Sequence, residues 1–423
     1  MEPELGIRGY LTDTPGLGGS IKATPEDFVV SEVSLPPPRA NGGPYSIATL
    51  TVRNWETNRL VRELARSLRI SRRRIGFAGT KDKRAVSSRI FSFQDVRPES
   101  VRDLSLKDVT VDDVYPASSG VAIGHLIGNR FRIVIRSLAV PDDRAVQIVA
   151  ETDRQLRSFR GFPNFFGVQR FGSIRPITHL VGRHLVRGEF GEAVRVYVAH
   201  PIEGEGEESH EVRRSFEASA DAKAALRDYP KVFTFEKAIL NHLVAYPDDA
   251  VGALRQLPFN LLLMFVHAYE SYLFNRILSE RLARGLPIHE PVPGDRVLPA
   301  DRHGLPDRSR IIDVTLDNLA KVTERCRARK AWTSGILFGS EPRFAEGEPG
   351  EIEHAIVASE GLRPEDFIIP EIPRISSKGT RRELLAPLGD LDSRVADRTL
   401  VLSFELARGC YATSLLREFI KAP

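Results

Sequence analysis

A chain of 423 residues has room for roughly two or three domains, and 42% hydrophobic with 27% charged residues is ordinary for a soluble globular protein. A formal net charge of +4 excludes a strong polycation, and two cysteines, Cys326 and Cys410, exclude a disulfide-stapled scaffold and suit a reducing compartment. No signal peptide opens the chain, and the longest apolar run in an expected helix, 261–266, is far too short to cross a bilayer. A cytoplasmic protein without a membrane partner is therefore expected.

In chain order, residues 28–33 (FVVSEV) read as a strand entered through a turn at Pro25, and Lys22 precedes that turn. Taken alone, Lys22 is a surface lysine at a strand end. Residues 35–44 are rich in Pro and Gly and form a loop, and 45–53 read as a second strand. From Thr57 the period changes. Leu60, Val61, Leu64, Ala65 and Leu68 fall on one helical face, with Thr57 the expected N-cap. Arg59, Arg62, Arg66 and Arg69 point elsewhere, and Arg72, Arg73 and Arg74 follow at once. An amphipathic helix with a solvated polar face explains the first four. Continuity with the arginine triplet favours one positive surface turned toward a phosphate backbone.

Residues 76–86 (GFAGTKDKRAV) hold a single acid, Asp82, crowded by Lys81, Lys83 and Arg84. The alternation of 87–93 (SSRIFSF) predicts a strand, so the acid is expected at the tip of a turn between two strands. Cations around a carboxylate favour its ionised form and draw a polyanionic substrate to it. Composition alone favours a wet basic loop with one stray acid. No GK[ST] pattern follows Gly79, which argues against a cradle for a free nucleotide.

Residues 124–136 (GHLIGNRFRIVIR) alternate as a strand, with Asn129 and Phe131 two apart and so on one side. An amide and a ring on one side of a sheet suit a nucleobase, one bonding its edge and the other stacking. Phe131 in the core and Asn129 in a turn is the commoner outcome for such residues. A helix is expected over 141–159. Residues 161–172 (GFPNFFGVQRFG) carry four phenylalanines and several glycines around Gln169 and Arg170, too irregular for one strand or helix. Aromatics interleaved with an amide and a cation suit RNA contact, and a packed hinge between domains has the same composition.

Beyond Gly172 the composition shifts. Short helices over 179–187 and 192–198 and an acidic loop over 203–208 lead to a long helix over 259–283. That helix is apolar on more than one side, so it is the expected core of a second domain. The histidines show no metal-ligand spacing, and neither a Walker nor a dinucleotide fingerprint is present, so no metal and no cofactor are expected. Residues 364–372 (PEDFIIPEI) echo 25–33 (PEDFVVSEV) and predict a second strand-entry turn of the same design. The chain closes with a strand over 399–406, a turn at Tyr411 and a helix over 412–420.

Five blocks in this order, IKATPEDFVVSE, GFAGTKDKRAVSSR, GHLIGNRFRI, PNFFGVQRFG and GCYATSLLREFI, resemble the TruD family of tRNA pseudouridine synthases over essentially the full chain. The long segment between Gly172 and Ser376 is similar to the archaeal and eukaryotic branch. The resemblance implies a mixed α/β catalytic domain of the pseudouridine synthase type, built from 1–163 and 375–423, with an α/β TRUD domain inserted over 164–374. It implies tRNA as partner, no cofactor, and a monomer. By the same resemblance Asp82 matches the catalytic aspartate, Lys22 its cationic partner, and Asn129 and Phe131 the active-site amide and ring. Tyr411 falls where bacterial members carry Phe, so a hydroxyl is added to the ring. Arg66, Arg69, Arg72, Arg73, Arg74, Gln169 and Arg170 are the expected RNA contacts. The implied reaction isomerises a uridine of tRNA, with uridine 13 of the D arm the expected position, using one carboxylate either at C1′ or at C2′. The alternatives are another tRNA-modifying enzyme, or an RNA-binding or RNA-chaperone module.

Overall fold

The computed structural model describes residues 1–122, 124–302 and 304–421; Ile123, His303, Ala422 and Pro423 lie outside the described residues. The chain divides into two compact units, Leu11–Phe162 with Ala386–Pro423, and Met1–Tyr10 with Pro163–Leu385. These divisions, at 162/163 and 385/386, lie one residue before the expected 163/164 and eleven after the expected 374/375. The first ten residues group with the middle segment.

The unit formed by the two ends of the chain is built on a nine-stranded mixed sheet. Its strands are β1 (Ser20–Ile21), β2 (Phe28–Ser34), β3 (Tyr45–Arg53), β4 (Ile75–Phe77), β5 (Val86–Gln94), β6 (Val109–Ala117), β7 (Leu126–Arg136), Leu391–Ala396 and Thr399–Ala407. The spatial order is Leu391–Ala396, Thr399–Ala407, β7, β2, β5, β3, β6, with β1 on β7 and β4 on β5. Only β2 and β5 among these neighbours run parallel. The pairing sets the faces. Val30 lies opposite Phe131 and Glu32 opposite Asn129, while Phe131 also lies opposite Phe404. Val30 is registered with Ser87, so Arg89, two residues on, shares the face of Glu32.

Helices cover this face as two separate apolar clusters. α1 (Thr57–Ser67) packs Leu60, Val61 and Leu64 on Leu50, Phe91 and Phe93. The Asp142–Phe159 and Ala412–Ile420 helices pack Ile148, Leu156, Leu415 and Phe419 with Ile133, Leu402 and Phe404. Between the clusters lies a polar strip containing Glu32, Ser87 and Arg89, none of which belongs to either cluster. Hydrophobic burial therefore fixes the two flanks and leaves the strip for chemistry.

The expected N-cap at Thr57 is corrected by the structure. Glu56 caps α1, its carboxylate accepting from the Asn58 and Arg59 backbone N–H groups at 2.8 and 2.7 Å. Thr57 begins the helix, and its hydroxyl accepts instead from Arg89 Nη1 at 2.8 Å and from the Lys81 N–H at 3.3 Å. A carboxylate beside the positive end of a helix is the stronger cap. The hydroxyl is thereby free to serve the strip.

The other unit contains the long helix, Phe259–Ala283, whose Phe265, Tyr269, Leu273 and Ile277 lie in one extensive apolar cluster. Buried Asn275 ties two segments to it, donating to the Leu5 and Phe166 carbonyls at 3.1 Å each. This explains why the first ten residues group here. A four-stranded sheet runs in the order Ile312–Asp313, Arg296–Pro299, Ala331–Leu337, Thr380–Glu383. The echo at Pro364 forms the expected turn: Arg363 N–H donates to Asp366 at 2.8 Å, as Thr24 N–H does to Asp27 at 3.0 Å. No strand follows the second turn, however, whereas β2 follows the first. The turn is local chemistry, and a strand needs neighbours to pair with.

Candidate active site

Asp82 lies in the loop 78–85 between β4 and β5, where the alternation of the flanking residues placed it. The strand before the loop is closely packed: a Cβ on Gly76, in the middle of β4, would come within 2.1 Å of the Val121 carbonyl oxygen and 2.5 Å of Ser92 Oγ. Only glycine allows that approach. Lys22 Nζ donates to Asp82 Oδ2 at 3.0 Å, across sixty residues of chain. The two side chains are 18% and 29% exposed, which leaves the pair reachable from solvent. The Lys22 ammonium also stands 4.3 Å from the centre of the Phe28 ring.

Lys22 itself has φ 58°, a left-handed conformation unusual for a residue with a Cβ. The turn that follows it is pinned to the sheet. Asp27 is buried; it accepts the Thr24 N–H at 3.0 Å and takes a bidentate grip from Arg136, with Nε at 3.0 Å from each oxygen and Nη2 2.6 Å from Oδ1. The Arg136 bond holds the Asp27 carboxyl below its usual value. We expect Asp27→Asn to cost about 1–3 kcal/mol of stability at pH 7. A depressed pKa stabilises the fold above the unfolded value near ~3.9 and loses that contribution as pH falls through the folded value. Urea titrations at pH 7 and pH 3 should therefore show a wide gap between variant and wild type at the first and a narrow one at the second.

Beneath the Lys22–Asp82 pair lies the polar strip. Lys81 donates to Glu32 Oε2 at 3.1 Å, and these side chains are only 4% and 1% exposed. Ser34 Oγ donates to the other Glu32 oxygen at 2.7 Å. Burial pulls Lys81 down against the opposing pull of Glu32, and pulls the buried Arg89 down to about 10. Arg89 Nε and Nη2 and Asn129 Oδ1 are buried and find no hydrogen-bond partner among the described residues. Orphaned polar atoms are costly and concentrate where function overrides packing.

Phe131 is buried, its ring stacked on Phe404 at 5.4 Å and edge-on to Phe28 at 5.9 Å. It belongs to the apolar cluster that flanks the strip. Asn129 is half-buried at the next same-face position of β7. Tyr411 precedes the Ala412–Ile420 helix, in the turn that leaves Ala407, the partner of Gly128. Strand pairing thus brings that turn to the Asn129 end of β7. Lys22, Asp82, Asn129, Phe131 and Tyr411 all belong to this one unit.

The expected RNA contacts divide. Arg66, Arg69, Arg72 and Arg73 are exposed, with Arg66 Nη1 3.0 Å from Glu63. Arg74 is turned onto the sheet, donating to the Gln94 carbonyl at 2.9 and 2.6 Å and to the Asp95 carbonyl at 2.7 Å. Gln169 and Arg170 lie in the other unit, in a short 3-10 turn, both half-buried. Arg170 Nε donates to Ser271 Oγ at 3.0 Å, and nearby Glu270 is pushed up to about 7 by burial. The phenylalanines of 161–172 are internal: Phe162, Phe165, Phe166 and Phe171 are all buried. Asn164 is buried as well, donating to the Glu383 carbonyl at 3.0 Å and accepting from Arg382 Nη2 at 2.7 Å. This block holds the structure together and offers no ring for base stacking. Asp27, Glu32, Arg89 and Arg136 escaped the sequence reading; the signal for the last three was charge inside otherwise apolar strands, and for Asp27 its place in the turn entering β2.

Residues 4–419 match the family model for tRNA pseudouridine synthase D (TruD). The chain belongs to the TruD family. A relative in Methanosarcina barkeri named "Probable tRNA pseudouridine synthase D" is 40% identical, with 100% of this chain and 97% of that one covered. One of the same name in Natronomonas pharaonis is 41% identical over the same shares of the two chains. A crystal structure titled as TruD from Methanosarcina mazei superposes with a TM-score of 0.85 at 38% identity, covering 99% of this chain and 97% of that one. The mixed α/β architecture and the archaeal character of the sequence agree with these TruD relatives. As a TruD member the chain is an isomerase acting on tRNA. No helix among its described residues is long and apolar enough to cross a membrane.

Proposed function

We propose that this chain converts uridine 13 in the D arm of tRNA to pseudouridine, with Asp82 as its catalytic carboxylate and Lys22 as the partner that orients it. The observation that carries the reading is the 3.0 Å contact between Lys22 and Asp82, partly exposed beside the Phe28 ring, which itself packs edge-on to Phe131. In the reaction the N1–C1′ bond breaks, the uracil turns over, the C5–C1′ bond forms, and the C5 proton leaves while N1 gains one. Asp82 acts either by attacking C1′ or by taking the C2′ proton, and its place beside a single ammonium serves both routes. The target nucleotide must leave its stack to reach a carboxylate set among sheet and helices. Asn129 is suited to bond the edge of the extruded base, with Phe131 two residues along the same strand and the turn carrying Tyr411 at the same strand end.

An unmodified tRNA transcript incubated with the protein alone tests this. Derivatisation specific for pseudouridine should mark position 13, with no change in tRNA mass and no free uracil. Released uracil would instead indicate a glycosidase, and bound but unaltered tRNA an RNA-binding module.

The phosphate backbone is assigned to Arg66, Arg69, Arg72 and Arg73. Each phosphate contact contributes about 0.9 to the slope of log affinity against log salt on a duplex. Paired replacement of Arg72 and Arg73 by Gln should flatten that slope by about 1–2 and weaken different tRNAs alike. An unchanged slope would turn this surface away from the RNA.

A further inference from the structure

We propose that Glu32 is a positioning residue that holds Lys81 away from Asp82, so that the catalytic carboxylate keeps one ammonium partner, Lys22, rather than two. The inference rests on the reading of Asp82 as the catalytic group. Lys81 and Asp82 are consecutive in one loop, yet their side chains have different partners: Lys81 goes to Glu32 at 3.1 Å and Asp82 to Lys22 at 3.0 Å. Glu32 comes from β2 and is committed at both oxygens, to Lys81 and to Ser34 Oγ at 2.7 Å. The charged groups facing Lys81 are Glu32 from β2 and Arg89 from β5, and Glu56 at the head of α1 acts on Arg89 in turn.

Arg89 closes the alternative positions for the Lys81 ammonium. It is buried on the same face as Glu32, bonded to Thr57 Oγ1, and repels Lys81. An ammonium released from Glu32 is thus driven away from Arg89 and back toward its own loop, whose one carboxylate is the adjacent Asp82. A carboxylate clamped by two ammonium groups is a poorer nucleophile and a poorer base, because both lone-pair faces are taken and negative charge is drawn off. Tethering Lys81 also keeps the loop in place, so the test must separate the two effects.

Glu32→Gln should lower kcat by about thirtyfold, equivalent to ~2 kcal/mol in the barrier, with KM for tRNA unchanged. Adding Lys81→Met to Glu32→Gln removes the released ammonium and should restore kcat to within about fivefold of wild type. If Glu32 only anchored the loop, the double variant would stay as slow as the single one or become slower, and the inference would be overturned. Wild-type kcat in Glu32→Gln would overturn it equally. Asp82→Ala in the same assay separates the two layers. Turnover by Asp82→Ala removes the reading beneath, whereas its silence beside a fully active Glu32→Gln removes only the role of Glu32.

Discussion

Asp82→Ala is expected to lower the rate of pseudouridine formation by at least about 10⁴-fold while tRNA affinity stays within a fewfold of wild type. No second acid stands within the loop 78–85, and Glu32, the buried carboxylate of the polar strip, is already bonded to Lys81 and Ser34. Nothing else in the strip is therefore placed to attack a sugar carbon or take its proton. Binding should survive because Asp82 adds a negative charge to a loop that otherwise presents the exposed cations Lys83 and Arg84. Removing that charge favours a polyanion. Asp82→Asn keeps the shape and loses the charge, and it should be as silent as the alanine variant. Single-turnover assays at saturating tRNA, paired with filter binding, measure both quantities, and substantial turnover by either variant would falsify the assignment.

Lys22→Met is expected to lower kcat by about 10²- to 10³-fold with KM unchanged, since an electrostatic partner contributes ~3–4 kcal/mol in a partly dry site. The ammonium bridges Asp82 at 3.0 Å and the Phe28 ring at 4.3 Å, so it both neutralises and aims the carboxylate. Its left-handed backbone, with φ 58°, is an unusual conformation for a residue with a Cβ, and the turn that follows is gripped by Arg136 at Asp27. Lys22→Arg keeps the charge but not the compact geometry and should recover only part of the rate. If Lys22→Met instead loses tRNA binding while kcat is preserved, Lys22 contacts phosphate and its service to Asp82 is wrong.

The two variants differ in a way that bears on the fold. Asp82 sits in a loop that ends at Ala85 and Val86, so its loss leaves the strands intact. Lys22 precedes a turn whose acid, Asp27, holds a long-range bond to β7. Its replacement should nevertheless leave that bond in place, and circular dichroism of Lys22→Met should match wild type.

Periodicity and turn chemistry by themselves marked the main strands and helices of the unit formed by the chain ends and the long helix of the other. The strand over Tyr45–Arg53 and the helices over Phe259–Ala283 and Ala412–Ile420 have the bounds read from the residues alone, because side-chain period and breakers are local properties. The ordered motif blocks likewise marked the family. What only the tertiary structure decided is which side chain meets which. Val30 opposite Phe131 and Glu32 opposite Asn129 follow from strand register, which a single strand does not carry. The same register buried Phe131 against Phe404 and placed Arg89 on the strip. Glu56 displaced Thr57 as the cap of α1 because a hydroxyl was drawn to Arg89, a partner thirty-two residues away. The phenylalanines of 161–172 read equally as RNA contacts or as packing until Asn164 and Arg382 fixed them inside. In each case composition named the groups, while through-space competition between buried charges, hydrogen bonds and apolar surface chose their partners.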